Sequence, residues 1–482
     1  MFNVQRMAKN TFVLSISQIL SYLLAFFYTI AIARYLGADG FGILSFALAF
    51  AGIFGILADL GLNTLAVKEI AKDKSLAKKY LGNFIFTKII LSIFTILIIA
   101  LTLNIFNFPA QTIIVVYLVT FSVIFNAFSG IFNSIFQAYE KMEYQSLGQI
   151  LYSILMLIGV LLAIIYGFNI IGFAFLYFAF SAILLIYNII ICVKKFIQVI
   201  LEIDIHFMIS KLKEALPFGI NGFFVFIYIW ADIVLLSLMQ GNQAVGWYNA
   251  AYKIVTVFMF VQSVTNISVF PVMSQLYVNS KTSLKKLVEK YFKFMLLISF
   301  PLGIGITLLS SNIILIIFGK QYENSVIALQ ILIWSGIFIF LYTAFAQLFL
   351  SAGKQITLTK ITGICMIENV LLNLILIPKF SYVGASFVTV ITEFTLFILI
   401  FIVAHNMGYG ISLKQLKDVI KVISASLIMG IFIFLFSKSN LFLVVPLSII
   451  IYLGILFIIK TFDEDDLILF KKLLKLKNMY ID

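Results

Sequence analysis

Cysteine and histidine are almost absent from this sequence, with two of each in 482 residues: Cys192, Cys365, His206 and His405. The cysteines stand far apart, in or at the ends of apolar segments, which excludes a disulfide framework or a cysteine metal cluster. The histidines stand in polar connectors, so catalysis or metal chemistry built on His and Cys has little material. Charge is scarce too: Asp, Glu, Lys and Arg make up 11% of the chain, against about 25% in an average soluble domain. With 63% of residues apolar and a mean hydropathy of +1.14, a fold of this length has more apolar surface than a water-soluble core can hide. Lipid must be its solvent. No Gly-x-x-x-x-Gly-Lys-Ser/Thr phosphate loop occurs, which excludes direct use of ATP. Connectors are short throughout, leaving no room between apolar segments for a soluble domain. Met1 to Asn10 runs into an apolar segment without a small-residue cleavage site, so it is expected to stay attached as part of a first span.

What is present is a series of long apolar runs. About 20 such residues cross roughly 30 Å of hydrocarbon. Fourteen runs qualify: 11–33, 43–66, 83–104, 112–138, 147–166, 170–193, 217–240, 247–272, 292–317, 326–350, 361–378, 383–404, 417–437 and 441–459. Lys and Arg orient them, because they are retained on the cytoplasmic side. With the N-terminus inside, 27 of the 33 Lys and Arg fall in inside segments. Four (Arg34, Lys320, Lys379, Lys438) fall outside, and Lys88 and Lys253 lie within spans. Both termini are therefore expected to be cytoplasmic. The net charge of +13 is then a feature of the cytoplasmic face, facing anionic headgroups, and requires no nucleic acid.

Two connectors echo each other. Gly37 and Gly42 frame one Gly-x-x-x-x-Gly turn, and Gly241 and Gly246 frame another; each is followed by a small-residue-rich helix start. One joins spans 1 and 2, the other spans 7 and 8. The spacing predicts parallel six-helix lobes related by an axis along the membrane normal, a layout of secondary transporters. Residues 1–193 form the first lobe, 194–216 a cytoplasmic linker, 217–405 the second lobe, and 406–482 two further spans with a tail.

Ionisable residues in hydrocarbon are costly and usually face a cavity or a partner. Candidates are Asp59, Lys88, Asp232, Lys253, Glu368 and Glu393, with Arg34 at the outer end of span 1. Simple explanations exist for each. Arg34, Asp59 and Lys88 lie near span ends and can snorkel; Asp232 and Lys253 can pair; Glu368 and Glu393 can bond to Asn369, Asn373 and Thr392. The functional reading is a hydrated central cavity that binds an anionic, sugar-bearing head group. Gln18, Ser21, Asn126, Asn133, Gln137, Gln262 and Asn266 fit such a cavity, and helix–helix hydrogen bonds account for them nearly as well. Pro271 and Pro301 are candidate kinks.

Taken in order, Ala33-Arg-Tyr-Leu-Gly-Ala-Asp-Gly-Phe-Gly, Leu57-Ala-Asp-Leu-Gly-Leu-Asn, Trp230-Ala-Asp-Ile-Val-Leu-Leu, Val245-Gly-Trp-Tyr-Asn-Ala-Ala-Tyr-Lys, Phe318-Gly-Lys-Gln-Tyr, Ser351-Ala-Gly-Lys, Asn369-Val-Leu-Leu-Asn-Leu-Ile-Leu-Ile-Pro and Val383-Gly-Ala-Ser resemble the polysaccharide (O-antigen-type) flippase family. The resemblance covers nearly the whole chain. It implies an all-α membrane fold of the multidrug/oligosaccharidyl-lipid/polysaccharide exporters, with about fourteen helices in two six-helix lobes around a central cavity. It implies transfer of a polyprenyl-(pyro)phosphate-linked oligosaccharide by alternating access, by a protein that is not an enzyme, in the cell membrane; a monomer is expected, since each lobe pair encloses its own cavity. It implies no cofactor beyond coupling to H+ or Na+. Asp232 and Lys253 match acidic and basic positions of the family, as Arg34 matches an arginine. Ser381 and Tyr382 depart from its Pro-Lys-Phe-Gly pattern in a connector. A multidrug or metabolite exporter on the same fold is the competing expectation. A polymerase or ligase would need a large outer loop, which is missing.

Overall fold

The computed structural model describes residues 4–197, 203–436 and 440–462. Lys438, residues 198–202 of the expected linker and Lys471 to Lys477 of the tail lie outside the described residues. In hydrocarbon every backbone N–H and C=O must be satisfied within the chain, and the described residues are accordingly helical nearly throughout. The elements are α1 (Val4–Gly55), α2 (Leu62–Lys72), α3 (Ala77–Ile105), α4 (Ala110–Ala138), α5 (Met142–Ile165), α6 (Ile170–Lys195), α7 (Ile205–Gln240), α8 (Asn242–Asn279), α9 (Lys281–Ile317), α10 (Ser325–Ser351), α11 (Gln355–Ala404), α12 (Leu413–Leu435) and α13 (Leu441–Ile458). Twelve of the described helical segments are long and apolar enough to cross a membrane.

Two of these elements cross twice. The 52 residues of α1 would run about 78 Å if straight, far beyond a bilayer core. The chain leaves helical geometry at Gly37, where φ is 72°. Its partners show the reversal. Ser17 bonds Ser146 at the start of α5, Ala33 and Arg34 bond the connector before α10, and Gly61 lies against Ala215 near the start of α7. In the same way α11 leaves helical geometry at Ser381. Thr359 bonds Asn221, Thr389 bonds Asp232, and Tyr382 packs on Trp247 between them. Ten single crossings and two double ones give the fourteen expected, and the described ends of the chain emerge on one face. That face is the terminal end below; the other is the Gly37 end.

The two repeated turns meet each other. A Cβ on Gly42 would stand 1.8 Å from the Asn242 carbonyl oxygen, and one on Gly246 would stand 1.9 Å from that of Ala38. The contact is reciprocal, as a pseudo-twofold between repeats requires, and only hydrogen at these two α-carbons permits it. One apolar core, running from Tyr28 and Phe46 through Tyr248 to Phe318 and Leu332, joins both halves of the chain around this contact. A separate core of α2, α3, α4 and α6 residues lies towards the terminal end of the first half. Another, from Met273 to Leu456, fills the second half and binds α12 and α13 to α9. The buried Lys293 also fastens these last helices, donating to the Thr461 carbonyl at 2.6 Å and lying 3.6 Å from Asp418.

One expectation is corrected in detail. The run 43–66 is not one helix: it breaks after α1 into a 3-10 turn, Ile56–Ala58, and positive φ at Leu60 and Gly61 redirects the chain into α2. The segment expected to link the lobes is partly helical, because α7 begins at Ile205. The Asp204 carboxylate caps it by accepting from the Phe207 N–H. That bond, with Lys79 at 3.0 Å, holds the Asp204 carboxyl below the usual carboxylate range.

Candidate functional site

Where the joined core ends, a cavity of about 430 Å³ opens between the first limb of α1 and the middle of α8. From α1 it takes Ile19, Tyr22, Leu23, Phe26 and Thr29; from α8, Thr256, Phe260, Gln262 and Lys253. Spacing of three and four residues puts each set on one helix face. Lys253 is the one charged residue among those lining it, and no carboxylate lies within 4 Å of its ammonium among the described residues. Tyr22 is exposed and meets Phe260 edge to face, with ring centroids 6.4 Å apart. The wall thus combines hydroxyls, an amide, aromatic faces and one cation without a counter-ion. Such a wall suits a ligand with an anionic group and sugars.

The remaining predicted residues sit elsewhere. Asp232 does not pair with Lys253. It is buried in the second half, where its carboxylate accepts from Tyr248 and Thr389 at 2.8 Å and from Asn373, which in turn donates to Asn369. Glu368 accepts from Thr395 at 2.9 Å. Glu393 is buried beside Tyr228, and Oε2 of Glu368 has no hydrogen-bond partner among the described residues. Lys88 is fully buried, 2.6 Å from Asp59 and donating to the Ala127 carbonyl at 2.6 Å. Asp59 also accepts from the Asn63 N–H at the start of α2. The Asp59–Lys88 pair therefore fixes the break in the second span and does not line the cavity.

Arg34 stands at the Gly37 end. Its guanidinium donates to the Ile316 carbonyl at 3.0 Å, while Gln321 donates to the Arg34 carbonyl at 2.9 Å and Tyr322 to that of Ala33 at 2.8 Å. The Phe318-Gly-Lys-Gln-Tyr motif is thus a clasp from the second half onto the turn of α1. Of the amides expected near a cavity, only Gln262 lines it, donating to Thr343 as well. Asn126, Gln137 and Asn266 bond neighbouring side chains: Ser181, Gln145 and Tyr291. Sequence reasoning missed Thr29, Thr256 and the aromatic wall. The signal was helical phase: Thr256 and Phe260 share a face of α8 with Lys253, and Tyr22, Phe26 and Thr29 share one of α1.

The sequence profile of the family described as "Polysaccharide biosynthesis protein" matches residues 7–277, and that of the MatE family matches residues 217–375. The capsular polysaccharide biosynthesis protein CapF of Staphylococcus aureus is 24% identical over 80% of this chain and 96% of its own. A putative O-antigen transporter of Escherichia coli is 24% identical over 81% and 95%. Matches to an uncharacterized membrane protein of Methanocaldococcus jannaschii and to the probable low-salt glycan biosynthesis flippase Agl15 of Haloferax volcanii span less than half of those proteins, 45% and 38%. Among solved structures, lipid II flippase MurJ in an inward closed conformation is similar at a TM-score of 0.75. Identity there is 19%, over 92% of this chain and 98% of that one. An inward-facing multidrug resistance MATE transporter gives 0.66 at 15% identity, over 80% and 94%. The folds are the same.

Proposed function

The chain belongs to the polysaccharide biosynthesis protein family, and from that premise we propose that it flips a polyprenyl-(pyro)phosphate-linked oligosaccharide across the membrane by alternating access. The carrying observation is Lys253, a cation with no counter-ion among the described residues, on the wall of an intramembrane cavity. Leaving a charge in that setting is costly unless a ligand neutralises it; a phosphate does so with charge-assisted hydrogen bonds. The hydroxyls of Thr29 and Thr256, the Gln262 amide and the aromatic faces of Tyr22 and Phe260 then meet the sugars. The polyprenyl tail stays in the bilayer at the gap between α1 and α8, so no tail crosses a polar pore. The basic connectors at the terminal end make that end the cytoplasmic one, where the glycan loads. Residues 1–193 and 217–405 act as the two moving lobes of a monomer, and the buried acids of α7 and α11 supply carboxylates for a coupling cation, H+ or Na+. The protein is a transporter and not an enzyme. A multidrug exporter on this fold is less well supported, because a wall with one cation and no carboxylate repels cationic drugs.

The test is leaflet accessibility of a polyprenyl-linked oligosaccharide in liposomes holding the purified protein. The glycan should become reachable by an external lectin only when the protein is present. Removing one charge-assisted contact, about 1.5–3 kcal/mol, should slow this by about 10- to 150-fold in Lys253→Ala, while Lys253→Arg keeps most of the rate. An unimpaired Lys253→Ala protein removes the phosphate assignment. Transport of a fluorescent cation with no glycan movement transfers the protein to the exporter reading.

A further inference from the structure

A glycan can be joined to a polyprenol through one phosphate or through two, and the charge differs. A phosphate diester carries one negative charge at neutral pH, a pyrophosphate diester two. The cavity wall matches only the first, because Lys253 alone among its lining residues is charged. The other basic residues considered for the cavity are engaged elsewhere. Lys88 lies 2.6 Å from Asp59, and Arg34 donates to the Ile316 carbonyl at the Gly37 end. Behind α8 the ionisable groups are acids. Tyr248 of α8 donates to Asp232, and Tyr252 lies towards Glu393, so that side adds no positive charge.

The neutral groups beside Lys253 are partly committed as donors. The Thr256 hydroxyl, one turn along α8, donates to the Lys253 carbonyl at 2.8 Å, and the Gln262 amide gives one N–H to Thr343. A hydroxyl that donates keeps lone pairs with which to accept, and an amide keeps its carbonyl and second N–H. This stretch of α8 therefore offers acceptors to sugar hydroxyls and, to an anion, chiefly the three N–H of one ammonium. Neutral donors can solvate a second negative charge but cannot cancel it. Between the opening of one end and of the other, the head group is cut off from water on both sides. A charge left over in such a closed, low-dielectric space is costly, so passage favours a head group whose charge the wall cancels.

We infer that the transported lipid carries a single phosphate and a glycan without acidic sugars, so that its head group and Lys253 sum to zero charge. The inference rests on the flippase reading and narrows its substrate. Thr256 is then a specificity-determining position. It stands one helical turn from Lys253 on the same wall, where a second cation would have to stand to hold a pyrophosphate.

Three synthetic lipids separate charge from linkage. One neutral trisaccharide is joined to the same polyprenol through one phosphate or through two; the third lipid has one phosphate and a glucuronic acid in place of the middle sugar. Each is reconstituted into liposomes holding the full-length protein, and its transfer is read with an external lectin against the terminal sugar. The neutral single-phosphate lipid should move at least about tenfold faster than either doubly charged lipid, a factor equivalent to about 1.4 kcal/mol. Thr256→Lys should reduce or reverse that preference by speeding the pyrophosphate lipid, and Lys253→Gln should slow the single-phosphate lipid most. A wild-type protein that moves the pyrophosphate lipid, or the acidic glycan, as fast as the neutral single-phosphate lipid overturns the inference while the flippase reading stands. So does a Thr256→Lys protein that melts at the wild-type temperature and keeps the full preference. If none of the three lipids moves, the flippase reading itself fails, and this inference with it.

Discussion

The residues whose chemistry does not suit lipid divide by partner. Lys88 has its partner in Asp59, so its role is structural and its loss should be felt in stability. Removing one member leaves the other buried and uncompensated, a cost of about 3–5 kcal/mol, whereas replacing both by apolar or neutral residues costs much less. Asp59→Ala should therefore lower the unfolding midpoint in detergent markedly, and Asp59→Asn with Lys88→Met should recover most of it. A double variant as unstable as the single one would mean that the ion pair itself supplies the stability. Ser381 makes a second case. With φ of 52° it holds a conformation that costs a non-glycine residue of order 1–3 kcal/mol. Ser381→Gly should raise stability by about 1 kcal/mol once the glycine's own entropy is deducted; no gain in thermal midpoint would show that the fold-back is relaxed. The departure from a glycine pattern at this connector was legible in the sequence, but its backbone angle was not. The unpaired state of Lys253 was hidden too, because Asp232 and Lys253 each sit on a helix whose rotation a hydropathy run does not record.

At the scale of elements, fourteen crossings were legible because hydrophobicity summed over about 20 residues outweighs any single exception. The break at Ile56–Gly61 was not, since apolar residues continue through it and the cause is the Asp59–Lys88 pair made with another helix. The echo between the two Gly-x-x-x-x-Gly turns was legible as a repeat, and the structure gives its physical reason: each turn is the other's packing partner. This contact is testable. A methyl group on Gly42 would occupy space held by the Asn242 carbonyl, 1.8 Å away, so Gly42→Ala must part α1 from α8 at the Gly37 end. Ser45, buried one turn further on and bonded by Asn249, reports the parting. With Ser45→Cys as the label site, a membrane-impermeant maleimide should react about tenfold faster or more in the Gly42→Ala background. Equal labelling rates would place the closure of that end elsewhere.

For the whole molecule the question is whether both ends of the α1–α8 and α2–α7 seams must open in turn. In the closed conformation seen here the seam is shut twice. At the Gly37 end Gly42 and Gly246 lock, backed by the clasp of Gln321 and Tyr322 onto α1; at the terminal end a Cβ on Gly61 would lie 2.7 Å from the Ala215 carbonyl and one on Gly219 equally close to that of Leu60. Cavity and joined core lie between. A rigid pore would need neither lock, and a transporter with alternating access needs each to open while the other holds. Cysteines placed at Ala38 and Asn242 flank the first lock, and the native Cys192 and Cys365 are free and buried. Bridging the new pair with a short thiol cross-linker should abolish glycan flipping to below about a tenth of the uncross-linked rate, and a cleavable linker should restore it on reduction. Without the cross-linker, spin labels on the same two cysteines should report two separations during turnover. If the cross-linked protein flips at full rate, the glycan does not leave between these turns, and the reciprocal glycine contact is a fixed joint of the scaffold instead of a gate.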